Sequence, residues 1–429
     1  MKYLIVLSFT VSLMITGDTL VMLGRFYGQA GVWANTALIL ACIFFAGMVP
    51  YFFVKSELSG SKAINKGGLI LLDSFVAASD GVARFFCAVF LTIGLMVAAG
   101  FAFNEIFVYW FPNFGFDFAL LAVLTVIQWM PEKYSMMFQL FCAATTLTGL
   151  ILLIGVGITA DGSIVSESLT GEALSGDIVI SGVLLLPGLL FIGLDLGRFA
   201  GAGMKLTEKR TTVILTAVVI IMGILFLAWG NILLDILPRE KLSHSSISHI
   251  LGAKAILGHK GRIIIGAMVI MGAAAAVNGL LFSFKKSDIA MFAGDPDHNR
   301  IPTMPVAASA VSLLAAAGMA MGLAGYPELE TFIKSALCLW LFAYSLKVLQ
   351  SISNRRRNSG MVKDVIWFFA ATVLWMGLSL TLSDSRLASW FISFSIGTIS
   401  ILSMGLYYKQ SKLINKTDGD SYENYRSNI

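Results

Sequence analysis

The sequence predicts an all-α integral membrane protein of about twelve transmembrane helices. Three observations carry this. The 429 residues are 57% hydrophobic and only 13% charged, whereas a soluble domain carries about 25% charged residues. Apolar stretches of the roughly 20 residues needed to cross a bilayer recur along the whole chain. Two of those stretches then break their own pattern with glycines and ionisable groups. Residues 13–26 read LMITGDTLVMLGRF, with Gly17, Asp18, Gly24 and Arg25. Residues 191–199 read FIGLDLGRF, with Gly193, Asp195, Gly197 and Arg198. Glycine weakens a helix, and a charge inside a membrane is costly unless it faces a cavity or a partner. Both stretches are therefore expected to be interrupted helices that face each other at one site.

In order, the first span covers residues 3–24 and breaks at Thr16–Thr19. The N-terminal apolar run lacks a small-residue cleavage site and is read as the start of this span, not as a signal peptide. Further spans are expected at 33–54, 81–103, 116–130 and 135–159. The connection 55–80 between the second and third spans carries mixed charge and Gly67-Gly68. An acidic loop at 161–177 leads to the interrupted sixth span, which ends in the basic cluster Lys205, Lys209 and Arg210. The seventh span is placed at 211–237. A long loop, 238–261, holds three of the four histidines and is long enough to fold back as a small lid. Spans eight to twelve are placed at 262–284, 304–323, 329–348, 362–382 and 388–408. Arg355-Arg356-Arg357 lies between the tenth and eleventh, and the polar tail 409–429 is expected to fray.

Lys and Arg in the loops set the orientation. With the N-terminus in the cytoplasm, Lys55, Lys205, Lys209, Arg210, the Arg355–Arg357 run and the tail cations all fall inside. Both termini are then cytoplasmic, in a plasma or inner cell membrane. The loop 238–261, with Arg239, Lys241, Lys254 and Lys260, is the exception. The interrupted spans one and six are five apart, so the second is inverted relative to the first. Paired interrupted helices in inverted halves point to a binding site at the bilayer midplane.

Other chemistries find no support. Cys42, Cys87, Cys142 and Cys338 all lie in apolar segments and read as small buried hydrophobes. His244, His249, His259 and His298 lie outside the spans, so no intramembrane metal centre, cofactor or catalytic site is expected. No phosphate-binding loop GxxxxGK[ST] is present, which argues against drive by ATP within this chain. No basic, aromatic stripe suggests nucleic acid.

Several segments together resemble the amino acid–polyamine–organocation superfamily of secondary transporters. They are Ser56-Glu57-Leu58 followed by Gly67-Gly68, the broken sixth span, its charged exit Leu206–Arg210, and a long eighth span followed by a turn and Ile301-Pro302. The resemblance implies a LeuT-type fold. One transporter domain, residues 1–408, would hold two inverted five-helix repeats, about 3–159 and 179–348, followed by helices eleven and twelve at 362–408. It implies alternating access for amino acids or related amines. The substrate would lie against Thr16, Gly17, Asp18, Thr19, Phe191, Gly193 and Asp195. The family has a small-residue run at the first break, where this chain adds the charge of Asp18. Asp195-Leu196-Gly197-Arg198-Phe199 is also similar to the sixth helix of nucleobase–cation permeases. A sensor with a transporter-like body is the reading from outside transport.

Asp18 has two readings, a helix cap or a ligand for a substrate ammonium that carries a proton when the site is empty. Asp195 and Arg198, three residues apart, are expected to form a local ion pair. Arg84 is expected to snorkel or to pair with Asp80, and Lys334 to pair with Glu330. Arg25 is expected to meet Glu330 as an outer gate when the outside is closed. The resemblance also bears on coupling. Residues 263–282 contain no Ser or Thr, and 135–158 contain no Lys. Sodium independence is therefore expected, with proton coupling or exchange. The sequence leaves oligomeric state and partner subunits open.

Overall fold

The computed structural model describes residues 1–53, 66–159, 186–286, 304–354, 361–382 and 385–426. Among the described residues the protein is helical and contains no strand. Seven helical stretches are long and apolar enough to cross a membrane, and four shorter apolar helices accompany them. The motif Ser56-Glu57-Leu58, the acidic loop, the turn before Pro302 and the Arg355–Arg357 run lie outside the described residues.

The first span is two helices, α1 (Lys2–Val11) and α2 (Gly17–Ala30). The break falls at residues 12–16, a few residues earlier than the glycine predicts. Hydroxyls move it. Ser8, Thr10 and Ser12 each donate to a carbonyl three or four residues back, at 2.7–2.8 Å. Such back-bonding bends a helix. Thr16 then caps α2, its Oγ1 accepting the Thr19 N–H at 3.2 Å. Gly17, Asp18 and Thr19 are thus the first turn of the new helix, not the gap.

α3 (Ala34–Met48) follows α2 and runs on in a short 3-10 turn, Val49–Phe53. α4 (Lys66–Ile106) is 41 residues long, about 60 Å at 1.5 Å per residue. It begins well before residue 81, so much of the predicted connection is helix, with Gly67-Gly68 in its first turn. α5 (Asn113–Trp129) and α6 (Glu132–Thr159) match expectation.

The sixth span breaks at residues 190–195, after a short helical turn at 186–189, and resumes as α7 (Leu196–Gly203). Gly193 makes this break, with φ +88°. A Cβ there would also run into Leu13 of the first break, and one at Gly197 into Thr10 of α1. The two interrupted helices therefore meet, break against break. Gly193→Ala is expected to cost at least about 1–2 kcal/mol from its backbone conformation alone, with the Leu13 clash added. An unchanged melting temperature of the purified variant would show that the break tolerates a side chain.

α8 (Glu208–Ile236) leads to the predicted loop, which is mostly helical: α9 (Arg239–His244) and the first part of α10 (Ser248–Lys286). Gly258, at φ 58°, kinks α10 where the eighth span begins. α9 packs against α2, with the backbone at Leu242 and Ser243 touching Gly28, so this segment does fold back. Its histidine His249 is buried. α11 (Met304–Ala320), α12 (Glu328–Asn354), α13 (Met361–Leu382) and α14 (Arg386–Arg426) complete the chain. α14 continues through the polar tail that was expected to fray, because a formed helix propagates more easily than it nucleates. α4 is the hub, packed on by α5, α10, α11, α12 and α14.

Candidate functional site

Two layers of charge lie along the seam between α4 and α12, on either side of the paired breaks. The first layer is at α2. Because Thr16 caps that helix, the capping role proposed for Asp18 is already filled. Thr16 and Thr19 share a 2.8 Å hydroxyl hydrogen bond, and the Thr19 hydroxyl donates to the Leu13 carbonyl at 2.8 Å. Asp18 instead turns toward α4 and α12, where it lies against Gly94 beside Ile333. It is only partly exposed, and no hydrogen bond or ion pair satisfies its carboxylate among the described residues. The first N–H groups of a helix lack intrahelical acceptors, and the helix dipole favours negative charge there. An acid at this point has a reason to stay and a free face to offer.

Toward the same end of the seam, Arg25 Nη1 lies 3.8 Å from Glu330 Oε1, and Lys334 Nζ lies 2.8 Å from the same oxygen. Arg25 also donates from Nε to the Ser245 carbonyl at 3.3 Å. The expected Arg25–Glu330 contact is present, bracing α2 against α12 and the α9–α10 segment. Glu330 is 57% exposed, so the pair is worth about 0–1 kcal/mol. Its value is in position, not stability.

The second layer is buried. Asp195, at the second break, is ion-paired with Arg84 of α4 and accepts a 2.7 Å hydrogen bond from the Tyr344 hydroxyl of α12. Arg84 Nε donates to Asp80 at 3.1 Å, and Lys347 Nζ donates to Asp80 at 2.8 Å while lying 4.0 Å from Asp195. The guanidinium of Arg84 sits between the Phe199 and Trp340 rings, 4.8 and 5.1 Å from their centroids. This corrects the expected Asp195–Arg198 pair. Asp195 precedes α7 in a turn, so helical i, i+3 spacing does not apply to it, and α4 supplies the cation. Arg198 reaches the Phe52 carbonyl at 2.5 Å and stacks on Phe199. Arg84 pairs with Asp80 as expected, but it is only 1% exposed and does not snorkel.

Phe191 is fully buried between Phe45 and Phe226, at 5.5 and 5.8 Å between ring centroids. It packs the core beside the break and offers no free face to a substrate. Gly193 lies in the second break. At the first break only Thr16 closes the gap, as the cap of α2, and Gly17 and Thr19 stand in the first helical turn. This shifts the break predicted at Thr16–Thr19 to residues 12–16.

The sequence reading missed Tyr344, Trp340 and the role of Lys347. Lys347 stands at the end of the tenth predicted span, where a cation reads as an ordinary loop charge. Asp80 and Arg84, one helical turn apart in an apolar stretch, were the visible signal for this layer. A polar clamp was missed as well. Gln139 Nε2 donates to the Ser8 carbonyl of α1 at 3.0 Å, and Asn278 of α10 donates to Gln139 at 2.8 Å. It ties α1 to α6 and α10. Beyond α1 and α7, a cavity of about 420 Å³ is lined by Met1, Ile5, Met136, Gly203 and Met204, with Lys2, Glu132 and Lys133 at its polar edge.

Neither a scan against protein-family models nor a search of curated proteins finds a match to this chain.

Proposed function

We propose that this chain is a secondary transporter of amino acids or related amines, working by alternating access. In this reading twelve spans form two inverted five-helix repeats followed by two further helices. The observation that carries the reading is the meeting of two interrupted helices, break against break, with an unpartnered acid at one and a buried ion network at the other. Non-helical backbone inside a membrane protein is tolerated where it is buried in protein or lines a cavity, and broken helices are the usual frame of transporter sites.

The arrangement supports a cycle. A substrate ammonium enters from the α2–α12 end and pairs with Asp18. Arg25 and Glu330 close behind it. The Asp195–Arg84 and Asp80–Lys347 contacts then part, and the substrate leaves through the cavity between α1, α6 and α7. On the return, Asp18 has no cation beside it and is the residue placed to carry a proton. Coupling to sodium has little to support it. Where α10 meets the first break, it presents Gly272 to the Ile15 carbonyl, followed by the alanines 273–276. None of these offers the hydroxyl oxygen that a hard cation takes as a ligand.

Purified protein in liposomes, offered a panel of labelled amino acids and amines under an inward proton gradient, tests the proposal. Uptake that survives replacement of sodium by choline is the expected result. Loss of uptake in choline would remove the coupling assignment. Uptake of nucleobases but not of amines would favour the permease alternative. No uptake of any of them would remove the transport reading and favour a sensor.

A further inference from the structure

Two buried donors in the second charge layer lack partners. Arg84 uses Nε and Nη2 in its ion pairs, but its Nη1 has no acceptor. Trp340, fully buried and stacked on the same guanidinium, has an unpaired indole Nε1–H. An unmet buried donor is costly, and most buried polar groups in folded proteins are paired. Both orphans here are donors, they belong to neighbouring side chains, and one is charged. What is missing beside them is an acceptor, and next to a guanidinium the best acceptor is an anion. Carboxylate suits a planar guanidinium, which offers its N–H groups in a fixed fork.

The first break makes the complementary point. An anion on the α2 N-terminus would lie beside the carboxylate of Asp18, and like charges that close repel. Asp18 suits an ammonium. Trp340 lies seven residues along α12 from Ile333, which neighbours Asp18. That is about 10 Å of helix, and Arg84 lies ten residues along α4 from Gly94, which Asp18 touches, about 15 Å. An α-amino acid therefore meets Asp18 and this pair of donors in turn, not at once.

We infer that Arg84 Nη1 and Trp340 Nε1 form a carboxylate subsite, so that the substrates are carboxylate-bearing amino acids and not simple amines or polyamines. The inference rests on the transport reading for the word substrate. The subsite itself does not depend on it. Binding of the carboxylate draws on Arg84 and so competes with its hold on Asp195. Arrival of substrate thereby loosens the buried layer that must part for release.

The test uses the detergent-purified full chain titrated with propionate and, separately, with propylamine, read as ligand-dependent rise in melting temperature. Trp340→Phe keeps the ring and loses the N–H. Arg84→Lys keeps the charge and loses the planar fork of N–H groups. Propionate should stabilise the wild type, and either substitution should weaken its apparent affinity by about tenfold, the effect of one hydrogen bond to a charged group. Propylamine binding should not change. Wild type that ignores propionate, or binds it as tightly after Trp340→Phe, would overturn the subsite; the first of these outcomes would mean that the orphan donors are met by water alone. If Arg84→Lys fails to fold, Trp340→Phe decides. Propionate binding that persists in a protein inactive in every uptake assay would keep the subsite and remove transport, so the two failures are distinguishable.

Discussion

Asp18→Asn is expected to give a folded, membrane-inserted protein whose uptake of ammonium-bearing substrates falls by about tenfold to a hundredfold. The estimate follows from losing a hydrogen bond to a charged partner, about 1.5–3 kcal/mol. Fold should survive because Asp18 holds nothing in place. Thr16 caps α2, and Thr19 ties that cap back to Leu13. Asn keeps the size and the capacity to accept a hydrogen bond, so what is tested is charge. The variant should also lose most of its response to a proton gradient, because it has no carboxylate to protonate. Near-normal uptake with an unchanged pH profile would leave Asp18 without a part in the pathway.

Asp195→Asn is expected to be the most damaging single change to stability, by about 3–5 kcal/mol, the usual cost of removing one partner from a buried ion pair. Asp195 is fully buried and Arg84 nearly so. Without the acid, the guanidinium keeps Asp80 but shares it with Lys347. The double change Asp195→Asn with Arg84→Gln should recover part of the loss, since it removes the uncompensated charge as well. Melting temperatures of the two variants in the same detergent give the comparison. A shift for Asp195→Asn no larger than that of an ordinary surface substitution, within about 0.5 kcal/mol, would show that the network does not hold the breaks together.

Much of the architecture is legible in the sequence because membrane helices announce themselves by composition, and breaks by glycine beside a charge. The Arg25–Glu330 contact is legible for a related reason. The expected orientation puts both residues on the same side, and opposite charges there have few alternatives. The partner of Asp195 is not legible. Local spacing favours Arg198, but the residue stands in a turn, and its true neighbours come from α4 and α12, far away in the chain. Tyr344 and Trp340 look like any other aromatic residue in an apolar span, and only packing shows that they frame Arg84. The position of the first break is set by the hydroxyls of Ser8, Ser12 and Thr16, whose back-bonding and capping outweigh the glycine at 17. The helix at 239–244 hides in a polar stretch with little apolar periodicity, and it is held by packing on α2.

The central claim is that the two ends of the seam open in turn. Spin labels at Gln29 and Glu328 report on the Arg25–Glu330 end, and labels at Lys2 and Lys133 report on the end with the cavity. All four positions are exposed. Pulsed electron resonance distances, taken in liposomes with and without a transported amino acid, are predicted to change in opposite directions, one pair separating as the other approaches. Distances that stay fixed at both ends, or that lengthen together, would contradict alternating access through the paired breaks.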